Sequence, residues 1–254
     1  MRPAIDLAGR TAVVTGVASG IGRALALKAA GLGMAVAGCD RDAAGLDALR
    51  AALDATGTPH ALRIADVTDA QDMAGLAEAV STMPPVALLF ANAGLLRKGA
   101  VLDLPLDDWR TLLEVNIFGV VNTLQALVPA MIASRVPAQV VVTGSTASMV
   151  TAPGLAAYSA TKHALWPVVE ALRDELDGTS VGATLLMPGA VATAIFASTD
   201  PARTRPADSM EPEDLAEIAF AGALAEAPKI LTHPAYADRA RARFETVLDE
   251  ISRH

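Results

Sequence analysis

Cysteine is almost absent from this chain: Cys39 is the only one in 254 residues. A single thiol excludes an internal disulfide framework and points to a reducing compartment, so a cytoplasmic location is expected. Aromatic residues are scarce too, at 4%. A core must then be built from Ala, Val and Leu, which suits helices packed closely on a sheet. Charged residues make up 19% against 52% apolar, and that balance excludes intrinsic disorder. Positive charge is in deficit, with 20 Lys+Arg against 28 Asp+Glu and a net charge of −8. Such a chain lacks the basic surface that nucleic acid requires. Long hydrophobic runs are missing, although the mean hydropathy is +0.39. The longest wholly apolar stretch near a plausible strand, Val86–Ala91, falls far short of a bilayer span. The opening Met1-Arg2-Pro3-Ala4-Ile5-Asp6 carries no hydrophobic signal segment. No membrane association is expected. Histidines at 60, 163, 233 and 254 show no ligand spacing, so no metal site is expected.

What the chain does have is alternation. Short apolar runs at 11–15, 34–39, 60–65, 86–91, 139–143, 181–187 and 229–232 read as strands. Between them lie helical patterns at 21–32, 42–53, 69–81, 106–133, 157–176, 213–225 and 236–251. That order predicts βαβ units and a parallel sheet of about seven strands in one α/β domain spanning 1–254. Residues 190–211 keep no period and carry Pro201 and Pro206. They are expected to form a cover over the substrate.

The first strand runs into Thr15-Gly16-Val17-Ala18-Ser19-Gly20-Ile21-Gly22. Glycines in such a turn allow close approach of backbone to a pyrophosphate, and the next helix offers its free N–H groups. A glycine-rich turn alone is weak evidence. Here it follows a strand and precedes a helix, which strengthens it. Further on stand Asn92-Ala93-Gly94, Asn116, Ser145, Tyr158-Ser159-Ala160-Thr161-Lys162 and Pro188-Gly189-Ala190-Val191-Ala192-Thr193. In this order and spacing, from about Gly9 to Thr193, they resemble the short-chain dehydrogenase/reductase family. The resemblance implies a Rossmann-type doubly wound sheet with helices on both faces and a homo-oligomer, tetramer or dimer. It also implies catalytic roles for Asn116, Ser145, Tyr158 and Lys162, with the asparagine position anchoring a water that links the lysine to solvent. Cofactor contacts would fall to Gly16, Ser19, Gly20, Ile21, Gly22, Asp66, Val67, Asn92, Ala93, Gly94, Pro188, Gly189, Val191 and Thr193, besides Tyr158 and Lys162.

The spacing also has a chemical sense of its own. Tyr158 and Lys162 are i and i+4, one turn apart on one helix face. An ammonium beside a phenol stabilises the phenolate and is expected to lower its pKa from about 10. Tyr158 could then act as general base on an alcohol or general acid toward a carbonyl. Ser145, thirteen residues earlier, can hydrogen-bond the substrate oxygen as charge develops. Pro167 lies inside the same helical pattern, where its missing N–H predicts a kink.

Asp40 ends the second strand, eighteen residues after Gly22. A carboxylate there accepts from ribose hydroxyls and repels a 2′-phosphate, which favours NAD over NADP. Arg41 argues the other way, since a guanidinium could meet that phosphate. Leu96, Met149, Leu155, Phe196 and Met210 are available to line a pocket with few charges. With Ser145 and Tyr158 they suggest a small-molecule secondary alcohol or ketone with a bulky apolar body. Two other readings stay open: an NADPH-dependent carbonyl or ketoacyl reductase, and a non-catalytic dinucleotide-binding sensor.

Overall fold

The computed structural model describes residues 3–193 and 209–253. Seven strands form one parallel sheet: β1 (Thr11–Thr15), β2 (Ala35–Asp40), β3 (His60–Ile64), β4 (Val86–Ala91), β5 (Ala138–Thr143), β6 (Val181–Met187) and β7 (Lys229–Leu231). Their order is β3-β2-β1-β4-β5-β6-β7, a doubly wound arrangement. β1 lies between β2 and β4, so the chain winds outward in both directions from it. The carboxyl ends of β1 and β4 therefore flank a crevice that no connection crosses.

Strand period fixes which helices cover which face. Ala12 and Val14 enter the core shared with α1 (Gly20–Gly31), α2 (Ala43–Ala55) and α7 (Pro212–Leu224). Val13 points to the opposite core, with α3 (Ala70–Ser81), α5 (Gly119–Ser134) and α6 (Ala156–Glu175). β5 divides likewise, Val140 and Val142 against Val141. Both faces of the inner strands are covered, so these strands read as nearly continuous apolar runs, as in Val86–Ala91 and Val181–Met187. α4 (Leu106–Leu113) precedes α5, and α8 (Ala237–Ser252) closes the chain.

One element departs from the sequence expectations. The pattern at 106–133 is not one regular helix: α4 and α5 are joined by a π-turn over Glu114–Phe118. Taken together, Leu106–Ser134 is long and apolar enough by length and composition to cross a membrane. Here its Val120, Leu124, Leu127 and Met131 pack in the core beside the sheet. α6 runs unbroken through Pro167. Of residues 190–211, those from 194 to 208, Phe196 included, lie outside the described residues. The two flanks of that segment are tied together by a bridge between Val191 and Met210.

The glycine turn is held by close approach. Gly16 has φ +68, a conformation that favours glycine. At Gly22 a Cβ would lie 1.9 Å from the Gly16 carbonyl oxygen, against backbone that cannot swing aside. Gly22→Ala should therefore lower the unfolding free energy by about 1–3 kcal/mol or more. Urea denaturation would show it; a variant as stable as the parent would mean the turn relaxes freely.

Candidate active site

A cleft of about 1010 Å³ opens along the carboxyl ends of the strands. Its walls contain every sequence-predicted glycine-turn residue, Gly16, Ser19, Gly20, Ile21 and Gly22, together with Asp40, Arg41, Asp66 and Val67. Asn92, Ala93, Gly94, Pro188, Gly189, Val191 and Thr193 lie on the same cleft, as do Ser145, Tyr158, Lys162, Leu96 and Leu155. Met149 does not. It is buried in the core beneath, because the turn after β5 directs its side chain inward and its carbonyl outward to Arg243. Met210 is likewise off the wall, half-buried beside α7's core while its backbone pairs with 190–192.

The turn between β4 and α4 is held by its own Asn92 and by side chains from two neighbouring strands. Thr15 Oγ1 accepts from the backbone N–H groups of Asn92 and Ala93 at 3.0 and 3.1 Å. The Asn92 amide donates to the Thr15 carbonyl, and its oxygen accepts from Thr143 Oγ1. Thr15 was part of the quoted turn, yet its bracing role was hidden by the seventy-seven residues to its partner.

Asn116 explains the π-turn. Its side chain is fully buried, and its oxygen accepts from the Leu95 N–H at 2.8 Å. The amide nitrogen donates to the Leu95 carbonyl and to Thr161 Oγ1, both at 3.0 Å. One extra residue in the turn carries Asn116 to these partners, and such bulges recur at functional sites. The side chain thus braces the chain beside Gly94, where an added Cβ would lie 3.3 Å from Asn116 Oδ1 and 3.4 Å from Lys162 Nζ.

Lys162 is 3% exposed and donates to the Thr143 carbonyl at 2.9 Å. Burial lowers its pKa to about 8. Its ammonium lies 5.9 Å from the centre of the Tyr158 ring. For Tyr158 the expectation of a lowered pKa fails in the protein as it stands. Burial raises the phenol, and the Ser145 hydroxyl at its oxygen pulls only partly back. The desolvation of the phenolate outweighs that hydrogen bond. Ser145 Oγ itself accepts from the Ala147 N–H and donates to the Pro188 carbonyl. It is thereby aimed at the mouth of the cleft near Tyr158.

His233, which showed no signal in sequence, organises the loop after β6. The Gly189 N–H donates to its Nδ1 at 3.0 Å, so Nε2 carries the proton toward the Ala190 carbonyl at 3.1 Å. A Cβ on Gly189 would meet the ring at 2.6 Å. The loop and the imidazole interlock.

The residues present fit a dinucleotide. No side chain caps α1, whereas Asp42 and Asp69 cap α2 and α3. The first-turn N–H groups of α1 are thus left to an anion at the glycine turn. The Asp40 carboxylate is fixed by the Ala18 and Asp42 N–H groups, one on each oxygen. Each oxygen keeps a lone pair for a hydroxyl. Arg41 pairs with Asp66 at 3.3 Å.

Fold and cleft together define an α/β protein with a crevice shaped for a dinucleotide. A family model described as short chain dehydrogenase matches residues 10–204, and the chain belongs to that family. A 1-deoxy-11-beta-hydroxypentalenate dehydrogenase of Streptomyces exfoliatus is 33% identical over 249 residues, covering 96% of this chain and 89% of that protein. The glycine betaine reductase of Emericella nidulans is 35% identical over 222 residues, 84% of this chain but only 17% of that longer protein. Among solved structures, a short chain dehydrogenase/reductase from Burkholderia phymatum in complex with NAD gives a TM-score of 0.89 at 30% identity, covering 96% of each chain. An alcohol dehydrogenase from Thermococcus sibiricus complexed with 5-hydroxy-NADP gives 0.79 at 26% identity, covering 89% of this chain and 97% of that one. The protein is an oxidoreductase using a nicotinamide dinucleotide.

The buried lysine has a consequence for stability. With its pKa at about 8 in the fold and about 10.4 unfolded, the unfolded chain binds more protons between those values. Stability contributed at this site therefore rises with pH across that window. Urea unfolding of the parent and of Lys162→Met should show the parent gaining on the variant from pH 8 to 9.5. A constant difference would mean the ammonium is not dehydrated.

Proposed function

We propose that this chain interconverts a secondary alcohol and a ketone with NAD, and that Tyr158 takes or gives the hydroxyl proton. The observation that carries the reading is the meeting of Ser145, Tyr158 and Lys162 at one cleft. The Ser145 hydroxyl lies at the phenol oxygen, and the Lys162 ammonium lies beside the ring. When bound, the dinucleotide accepts or donates the hydride and in its oxidised form adds a positive charge to the site.

The chain's own residues manage the proton. In ketone reduction, the protonated Tyr158 donates to the oxygen that develops charge, and Ser145 Oγ–H, turned from the Pro188 carbonyl, supports the same oxygen. In alcohol oxidation, Tyr158 receives the hydroxyl proton as a phenolate, which needs positive charge nearby to offset its burial. Lys162, held by the Thr143 carbonyl, supplies part of that charge. Asn116 and Gly94 fix the floor on which the lysine lies.

NAD rather than NADP follows from two side chains. Asp40 is an anchored negative charge at the end of β2. Two like charges 4 Å apart cost about 1 kcal/mol in water and about 4 kcal/mol near a protein surface. Arg41, the group that could offset a 2′-phosphate, is already engaged with Asp66. For the substrate, Leu96, Val150 and Leu155 give the far end of the cleft an apolar wall.

Tyr158→Phe should lower turnover at least about a hundredfold, the lower end of what a positioned acid–base group contributes. NAD binding, measured by calorimetry, should persist; turnover at the parental rate would reject Tyr158 as the proton carrier. Asp40→Ala should raise the NADP/NAD ratio of kcat/KM at least about tenfold, the effect of ~1.4 kcal/mol. An unchanged ratio would place the ribose elsewhere.

A further inference from the structure

The cleft's carboxylates among the described residues are confined to one end of it, where Arg41 pairs with Asp66. These two, Asp40 and Asp66, stand at the β2–β3 end. At the opposite end, past Tyr158, the charged side chains on the wall are Lys98 and Arg239. In a chain of net charge −8, a substrate end whose described charged side chains are both cations is unexpected from composition.

Arg239 lies in the first turn of α8 and reaches over the loop that follows β5. Its Nη2 donates to the Thr151 carbonyl at 3.0 Å. Thr151 is in turn joined to Ser159, the neighbour of Tyr158, by a hydroxyl–hydroxyl bond of 3.0 Å. The guanidinium also stands over the Tyr236 ring, 5.9 Å from its centre. Among the described residues no carboxylate pairs with it, and the Thr151 carbonyl occupies one of its five donors. Arg243, one turn further, is instead spent on structure, donating to the Met149 carbonyl and contacting His163 Nε2. The two arginines therefore differ in availability: Arg243 is spent on the frame, and Arg239 presents a fork to the cleft.

We propose that the substrate carries a carboxylate on its apolar body, and that Arg239 binds that carboxylate while the carbinol or carbonyl carbon lies at Tyr158. The inference rests on the alcohol–ketone reading of the site and narrows it to hydroxy acids and keto acids. A planar guanidinium with free donors matches one carboxylate in a two-bond fork. The apolar wall between Leu96 and Leu155 receives the carbon skeleton that separates the two polar ends.

The test compares hydroxycyclohexanecarboxylic acids with their methyl esters, and the matching keto pairs, in the parent, Arg239→Met and Arg239→Lys. The ester has the same ring and alcohol but no charge, so the acid/ester ratio of kcat/KM reads the carboxylate alone. It also controls for folding within each variant. The parent should favour the acid by about tenfold or more, as one charge-assisted fork supplies. That ratio should fall toward one in Arg239→Met, recover in part in Arg239→Lys, and shrink as salt is raised. Turnover of both compounds with a parental ratio near one, or a ratio unchanged by Arg239→Met, overturns the inference and leaves the alcohol–ketone reading standing. No turnover of any compound with either dinucleotide overturns that reading instead. Calorimetry of acid and ester with the NADH-loaded protein then decides the subsite: acid binding lost in Arg239→Met upholds it, and equal binding of acid and ester rejects it.

Discussion

Everything in the site depends on one small lattice of hydrogen bonds at the carboxyl ends of three strands. Thr15 at the end of β1 receives two N–H groups from the turn after β4, and Asn92 from that turn reaches to both Thr15 and Thr143. Thr143, at the end of β5, also offers its carbonyl to Lys162. The same few atoms thus join the glycine turn and the floor of the cleft to the ammonium beside Tyr158. A doubly wound sheet creates the crevice, but it leaves strand ends splayed and their polar groups open. Cross-strand side chains turn that opening into a surface with fixed donors and acceptors.

The repeating parts of this architecture were legible in the sequence. All seven strands lie where short, largely apolar runs predicted them, because the five inner strands are covered on both faces and carry mostly apolar residues. The glycine turn, Tyr158 and Lys162 were legible because their spacing is local. What stayed hidden is non-local. His233 interlocks with Gly189 across forty-four residues, and nothing in either segment's pattern announces the pair. The π-turn at Glu114–Phe118 was invisible for a related reason. Its cause is the reach of Asn116 to Leu95 and Thr161, a tertiary demand that overrides a regular helical period. Met149 was misplaced because an apolar residue near a pocket can face either the pocket or the core, and sequence gives no sign of which.

The pKa directions of Tyr158 and Lys162 belong to the same logic. Spacing alone suggested a phenol assisted by its ammonium. Burial instead moves both groups toward neutrality, raising the tyrosine and lowering the lysine. Neither shift is a defect in the arrangement. Each records the cost of holding a charge in a dehydrated cleft, and that cost falls when opposite or balancing charge enters. A phenol so placed holds its proton, and its phenolate becomes accessible only when cationic charge accumulates beside it.

Side chains anchored to backbone mark both ends of the cleft. Asp40 is fixed by two backbone N–H groups at the end of β2. At the other end Arg239 binds the loop after β5 at Thr151, and one turn on Arg243 binds the same loop at Met149. α8 therefore does more than close the fold. By tying the loop after β5 from outside while the turn after β7 supplies His233 to the loop after β6, the C-terminal segment braces both walls of the cleft. The groups proposed as catalytic come from the middle of the chain, but the walls around them depend on its last elements.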